Sequence, residues 1–501
     1  MRSLGARESR FVWLQGSPGT GKTAISKRIA HDLARDKRLA ASFFWDKTGG
    51  RANTDSIEFF PSTLASQLAT FNQDYETLLV NCLLDRSSRN VLRLPLEKRM
   101  DTLVIQPMTS ISQAFSSAEC APVVVLDGLD ECGGRDTLVK LMHLVLLLDK
   151  LPPEFMILVS ARPEPEVRAV LEPLHDIPRM YTDQISEDDT NNTIRLMVER
   201  GLGGIRQPRR SDWVPPGDEL QEFATTCRRL PVLAEIRVRE VSILISRGLT
   251  LRDAFRIVKE DGMISRSLKD DYLRILRRAY RDGIVAYYAS NSSEPARSAM
   301  SNTESAISPY VLHTYRDVVG TVIAAQSPLG VETISKILAI SEETIRAALD
   351  PIGSIINAPA SGDDPVHFYH ATAEEFLTGP PHGDENDRDF FFSDMQGAFL
   401  ALPLLKALNY NLKRNMANTT DSIPLGKGSR IRESEIPKHV VYAIDHLPTH
   451  LDLSSASEEL WGELGLFLTT KLLFWLELKR MGMGYHPVSF HLTSSDICTG
   501  N

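Results

Sequence analysis

The residues with the plainest chemical purpose stand near the start of the chain, in the run Gly16-Ser17-Pro18-Gly19-Thr20-Gly21-Lys22-Thr23, a GxxxxGK[ST] pattern. Gly16 and Gly21 let the backbone curl so that successive N–H groups point inward at phosphate oxygens, and a helix starting here adds the positive end of its dipole. Lys22 supplies a cation for β- and γ-phosphates, and Thr23 offers a hydroxyl to Mg²⁺. Further on, Pro122-Val123-Val124-Val125-Leu126-Asp127 is a β-branched run ending in a carboxylate, suited to hold Mg²⁺ through water. Asp130 and Glu131 follow and could orient or deprotonate an attacking water, which suits hydrolysis better than phosphate transfer; the alternative is that they cap or solvate the next loop. A third apolar run, Phe155 to Val159, leads through Ser160-Ala161 to Arg162. That guanidinium could touch a γ-phosphate and sense its loss, or form a salt bridge with a neighbouring acid.

These groups meet only if the elements carrying them share a sheet edge. Phe11-Val12-Trp13-Leu14 reads as a short buried strand before the glycine run, and Lys22 to Arg35 as a helix burying Ala24, Ile25, Ile29, Ala30 and Leu33. The runs ending at Asp127 and Val159 read as central parallel strands. The expected fold class is therefore α/β, a P-loop NTPase with a central parallel sheet.

At 501 residues the chain is long enough for several domains. Its 56 Lys+Arg against 65 Asp+Glu give a net charge of −9, which removes the broad basic field of a protein devoted to nucleic acid, so no direct nucleic-acid binding is expected. Cys82, Cys120, Cys132, Cys227 and Cys498 have no CxxC or Cys/His ligand spacing, which predicts reduced thiols, no sulfur-held metal and a cytoplasmic location. The first apolar run is too short for a signal peptide. Leu138 to Leu148 and Leu464 to Leu478 are both broken by polar residues, so they predict buried helices and no membrane span.

The order of these motifs resembles the NACHT P-loop NTPases, signal-transducing ATPases (STAND) of the NOD-like receptor kind. The resemblance rests on Gly16 to Thr23, on Asp127-Gly128-Leu129-Asp130-Glu131 with its small residue straight after the aspartate, and on Ser160-Ala161-Arg162-Pro163. Phe60-Pro61-Ser62-Thr63-Leu64-Ala65-Ser66-Gln67-Leu68 and Val159 to Pro165 are similar to the nephrocystin-like P-loop domain of fungal receptor-like proteins. The resemblance covers residues ~10 to 480 and is strongest in the first 170. It implies ATP/ADP with Mg²⁺ as ligands, adenine rather than guanine, and a nucleotide-dependent conformational switch in signal transduction of an innate-immunity-like or self/non-self kind. It implies protein partners or self-association in the ATP state. It also implies an N-terminal effector and C-terminal sensor repeats, neither of which is expected in these residues.

Downstream the pattern is helical: Glu164 to Leu174, Glu187 to Arg200 and Gly217 to Arg229, with a polar Gly201-to-Ser211 loop, read as a lid. A helix from Leu230-Pro231 to Arg247 follows. In related ATPases a Gly-x-Pro here packs on the adenine, which makes Pro231 a candidate base contact, but Arg229 replaces the glycine and a helix N1 proline explains Pro231 equally well. One amphipathic helix is expected from Ser265 to Ala286, then a Ser-rich linker from Ser290 to Ser308. Helices Tyr310 to Ala325, Val331 to Ala339 and Glu342 to Leu349 precede two short apolar runs, Ser354 to Ala358 and Val366 to Tyr369, a winged-helix pattern. Its would-be recognition helix has Glu342, Glu343 and Asp350 against Arg346, so DNA phosphates would repel it. The resemblance places His370 where the family senses the β-phosphate of ADP; no Asp follows it, and a histidine satisfied inside its own domain is the alternative. Phe390 to Leu478 reads as helical, with a polar break from Asn415 to Pro437 and one apolar helix from Glu458 to Leu478.

The resulting organisation is a P-loop core (10–172), a lid (173–263), a linking helix with the winged helix (264–380), a C-terminal helical domain (381–480) and a disordered tail (481–501). The leading function is a slow ATPase acting as a switch. The alternative is a scaffold that holds nucleotide without hydrolysing it and serves as a protein-interaction module. A small-molecule kinase is a third class, and it needs neither the winged helix nor the C-terminal helices.

Overall fold

The computed structural model describes residues 10–46, 56–84, 91–115, 121–175, 180–184, 187–205, 213–280, 309–393, 398–416, 436–452 and 457–480. They form two compact units, one running up to Gly204 and including Pro215–Glu235, the other running from Ile236 and including Ile205–Val214.

The first unit is built on five parallel strands, β1 (Phe11–Gln15), β2 (Leu39–Phe44), β3 (Val123–Asp127), β4 (Met156–Ala161) and β5 (Met180–Gln184), in the order β2-β3-β4-β1-β5. Period-two alternation sorts the side chains between the faces. Phe11, Trp13, Val124, Leu126, Ile157 and Val159 join one large core, while Leu14, Val123, Val125 and Leu158 join a second, smaller one. The larger core is covered by helices α2 (Phe60–Phe71) and α3 (Arg135–Leu147), and the smaller by Ile25, Ile29 and Leu33 of α1 (Lys22–Arg35). Burial on both faces explains why β3 is apolar at every position but its last.

The α1 bounds agree with the expected ones, but its buried face differs: Ala24 is exposed, and Ser26 is buried beside Ala30. Ser26 is turned toward the Asp127 carboxylate, so a hydroxyl takes a place that hydrophobic periodicity alone assigns to an apolar residue. Helices α4 (Pro165–His175), α5 (Glu187–Gly203) and α6 (Gly217–Thr226) follow. Helix α7 (Pro231–Ser246) begins in the first unit and runs on into the second.

In the second unit the later part of α7 packs with α8 (Leu251–Ile264) and α9 (Leu268–Tyr280) around buried charge. Arg237 and Asp271 pair at 3.1 Å with both side chains fully buried, and Arg274 bridges Glu240 and Asp261 at 2.8 Å each. Arg278 pairs with the same two acids. A β-carbon at residue 262 would overlap the Arg237 guanidinium, which accounts for Gly262. The helix expected from Ser265 is seen as Leu268–Tyr280, and the linker expected from Ser290 to Ser308 lies outside the described residues.

Beyond it, α10 (Pro309–Ala324), α11 (Val331–Leu338) and α12 (Glu342–Leu349) precede the antiparallel pair β6 (Ile356–Asn357) and β7 (His367–Phe368). The Ser341 hydroxyl accepts the Thr344 N–H, and Glu342 and Glu343 occupy the first turn of α12, where the helix dipole favours negative charge. His370 is the N-cap residue of α13 (Ala371–Thr378).

Near the end, α14 (Ala401–Asn411) and α15 (Lys438–Asp452) precede α16 (Glu458–Thr470) and α17 (Leu472–Arg480). The single buried helix expected from Glu458 to Leu478 is therefore two, and it is not buried throughout. The break falls at Lys471, the C-cap of α16, whose Nζ donates to the Leu412 carbonyl, while the Thr469 and Thr470 hydroxyls just before it bond back to the Gly465 and Leu466 carbonyls. Leu460, Phe467 and Leu478 are buried, whereas Trp461, Leu466, Leu468, Leu473 and Leu476 are exposed. The expected tail from 481 lies outside the described residues. No described helix is long and apolar enough to cross a membrane.

Candidate functional site

Sheet register assembles the site. Gln15 pairs with Ala161 and Asp127 with Ser160, so β1, β3 and β4 end level with one another and deliver the glycine loop, Asp127 and Arg162 to one edge. Strand β4 lies between the strands carrying the loop and Asp127. Ligands of open α/β sheets bind at this carboxyl edge.

The loop's glycines have different reasons. Gly19 and Gly21 sit at φ +74° and +90°, the left-handed region that glycine enters without steric cost. Gly16 has no such angle; its missing side chain makes room for Thr20, whose hydroxyl would lie 2.6 Å from a β-carbon there. The curl assigned to Gly16 and Gly21 therefore belongs to Gly19 and Gly21. The Thr20 hydroxyl donates to the Ser17 carbonyl at 2.8 Å, and Lys22 Nζ donates to the carbonyls of Gly16 at 2.8 Å and Ser17 at 3.1 Å. Pro18 completes the loop, and Thr23 stands exposed in the first turn of α1 with its hydroxyl toward Asp127. Burial lowers the Lys22 pKa, opposed first by the charge of Asp130; Arg162 adds to the lowering.

Asp127 is 1% exposed, and neither of its oxygens completes a hydrogen bond among the described residues. Burial pushes its carboxyl pKa up, while the hydroxyls of Ser160, Thr23 and Ser26 and the Lys22 ammonium face it and pull the other way. An ionised carboxylate so placed is costly unless something positive meets it. A divalent cation answers that need, and Asp127 with Thr23 is a hard-oxygen donor set that fits Mg²⁺.

The turn after β3 depends on Gly128, at φ +71°, where a β-carbon would lie 2.8 Å from the Trp45 carbonyl oxygen. That explains the small residue after the aspartate. It lets Leu129–Glu131 wind into a tight turn directed back toward β4. Asp130 Oδ1 accepts the Arg162 N–H at 3.0 Å, and its Oδ2 pairs with Arg162 Nε at 2.9 Å.

Leu230 to Val232 meets the loop from another direction. The Val232 N–H donates to the Gly19 carbonyl at 3.3 Å, the Pro231 ring lies against Gly21, and a β-carbon at Gly19 would overlap Val232. Pro231 is thus both the first residue of α7 and a wall of the loop. Arg228 and Arg229 just before it adopt φ +50° and +59°, so the arginine that replaces glycine keeps a glycine-like backbone. Left-handed geometry costs a non-glycine residue about 1–2 kcal/mol, and glycine's extra freedom in the unfolded chain returns ~0.4–1 of it. Arg229→Gly is accordingly expected to raise stability by up to about 1 kcal/mol, read as a higher midpoint in urea at unchanged slope. A lower midpoint would mean that the arginine side chain contributes more than its backbone costs.

His370 lies in the second unit.

The sequence profile of the family described as "Nephrocystin 3, N-terminal" matches residues 2–162. No curated protein matches the chain. Among solved structures, the Walker-type ATPase PABY2304 of Pyrococcus abyssi matches at 12% identity and a TM-score of 0.31, covering 74% of this chain and 91% of that one. Cdc6p from Pyrobaculum aerophilum matches at 13% and 0.31, covering 73% and 78%, and PCH-2 of C. elegans at 13% and 0.22, covering 49% and 67%. The glycine loop, the parallel sheet and the family match together establish a P-loop NTPase fold for the first unit.

Proposed function

We propose that the chain is a NACHT-type, nucleotide-dependent switch of the STAND class, binding ATP or ADP with Mg²⁺ and hydrolysing ATP slowly in a cytoplasmic signalling role. The observation that carries this reading is the meeting, at one sheet edge, of a glycine loop with two left-handed turns, Lys22, and a buried Asp127 whose oxygens complete no hydrogen bond among the described residues. The loop N–H groups and the start of α1 would cradle phosphates, with Lys22 as their cation. Thr23 and Asp127 would hold Mg²⁺, which when bound neutralises phosphate charge. Arg162 would read the terminal phosphate, and Pro231 would face the base. Of the two acids after β3, Glu131 would orient the attacking water, and Asp130, whose two oxygens meet Arg162, would position that arginine.

The resemblance supplies the rest of the proposal: the helices after β4 as a lid, α10–α12 with β6 and β7 as a winged helix, His370 as the sensor of the diphosphate, and protein partners or self-association in the ATP state. A switch needs two states that its ligands distinguish, and ADP and ATP are those ligands.

ATP turnover tests the hydrolytic part. Glu131→Gln is expected to lower kcat by roughly 100-fold or more, the usual share of a positioned acid or base, while ADP affinity stays within about threefold. Unchanged turnover would remove Glu131 from the chemistry. Tightly held nucleotide with no turnover in wild type would leave the non-hydrolysing scaffold.

A further inference from the structure

The turn after β3 carries two acids, and the structure pairs Asp130 with an arginine at the end of the neighbouring strand. The Asp130 carboxylate, 6% exposed, receives both the main-chain N–H and the Nε–H of Arg162, whose own side chain is 15% exposed. The pair joins the ends of adjacent strands, just past the Asp127–Ser160 register. It also borders the phosphate loop, because Arg162 directly follows Ala161, which is in register with Gln15, the residue that leads into Gly16. A guanidinium takes carboxylate and phosphate through the same fork of N–H donors, so a carboxylate seated on Arg162 is chemically the same kind of partner as a terminal phosphate.

We propose that Asp130 is an internal anion that holds Arg162 and competes for it with the terminal phosphate of a nucleoside triphosphate. This makes Asp130 a positioning residue that sets the preference between di- and triphosphate. The inference rests on the reading of this edge as a nucleotide site. A diphosphate leaves the pair intact. A triphosphate gains Arg162 only by drawing it from a carboxylate that is almost wholly buried, and stranding that charge opposes triphosphate binding alone. The protein is thereby weighted toward its diphosphate state without any change in the loop that grips the shared phosphates.

The test uses Asp130→Asn, which keeps an oxygen for the Arg162 N–H and removes the charge. Affinities of the full chain for ADP and for ATPγS are measured with Mg²⁺ present, alongside the melting temperature. The expected result is a rise in the ATPγS-to-ADP affinity ratio of about fivefold or more. In an Arg162→Gln background the same substitution should leave that ratio unchanged. An equal gain for both nucleotides would reduce Asp130 to a general field effect and overturn the proposal. A loss for both with a lower melting temperature would make the pair purely structural and also overturn it. Wild type that binds neither nucleotide would instead refute the nucleotide reading of the edge.

Discussion

Lys22→Ala is expected to weaken binding of both ADP and ATPγS by roughly 100-fold and to abolish turnover, because the ammonium is the cation placed inside the loop and charge-assisted bonds to phosphate are among the strongest available. Its present partners are two carbonyl oxygens of the loop, Gly16 and Ser17, so the substitution removes little that holds the fold together. The melting temperature without nucleotide should therefore fall by no more than a few degrees. The pH dependence has a definite sign. Burial places the Lys22 pKa below the ordinary lysine range, so in wild type the affinity for ADP should begin to fall, as pH rises, earlier than a solvent-exposed lysine would allow. Lys22→Ala should lack that alkaline limb. Calorimetric titration across pH checks both points, and equal ADP affinity in the two proteins would remove Lys22 from the site.

Asp127→Asn is expected to separate stability from function. Burial raises the wild-type carboxyl pKa above that of the unfolded chain, so ionisation opposes folding, and the cost is present at pH values above the folded pKa. It disappears as pH falls through that value toward the ordinary carboxylate range, where both states are protonated. Asparagine keeps the shape and the hydroxyl neighbours without the charge. Free of metal and nucleotide, the variant should melt about 2–4 °C above wild type at neutral pH, and the advantage should shrink on acidification. With Mg²⁺ and ADP the order should reverse, since wild type alone offers the cation an anionic ligand. Melting curves between roughly pH 4 and 8, with and without the two ligands, give both signs. A variant that gains as much from Mg²⁺ and ADP as wild type would remove Asp127 from the cation site.

Lys22 and Asp127 are legible in the sequence alone, and the reason is local. Strands β1, β3 and β4 are buried on both faces and read as unbroken apolar runs, so the polar residue ending each run marks the sheet edge. The bounds of α1 follow from the same loop. Strand β5, Met-Tyr-Thr-Asp-Gln, carries no such run, and β2 begins Leu-Ala-Ala-Ser, so neither announces itself. What sequence cannot convey is pairing across the fold. Asp130 and Arg162 are 32 residues apart, and only the β3–β4 register brings them together; the sequence allows Arg162 a neighbouring acid without saying which, and in the structure Asp130 is that acid. Arg237 and Glu240 likewise sit in a helix that reads as apolar, and their burial makes sense only once the acids and arginines of α8 and α9 close around them. Ser26 and Arg229 depart from simple patterning because a carboxylate and a backbone turn, respectively, set their environments.

Everything proposed for this protein depends on the edge formed by Gly16 to Thr23 and Asp127 being a site for a nucleoside phosphate with its cation. Titration of the full chain with ADP in the presence and absence of Mg²⁺ tests it most directly. Binding is expected to saturate at about one nucleotide per chain, tightened by Mg²⁺ in wild type and insensitive to Mg²⁺ in Asp127→Asn. Absence of binding, or binding of equal strength in wild type and Lys22→Ala, would contradict it.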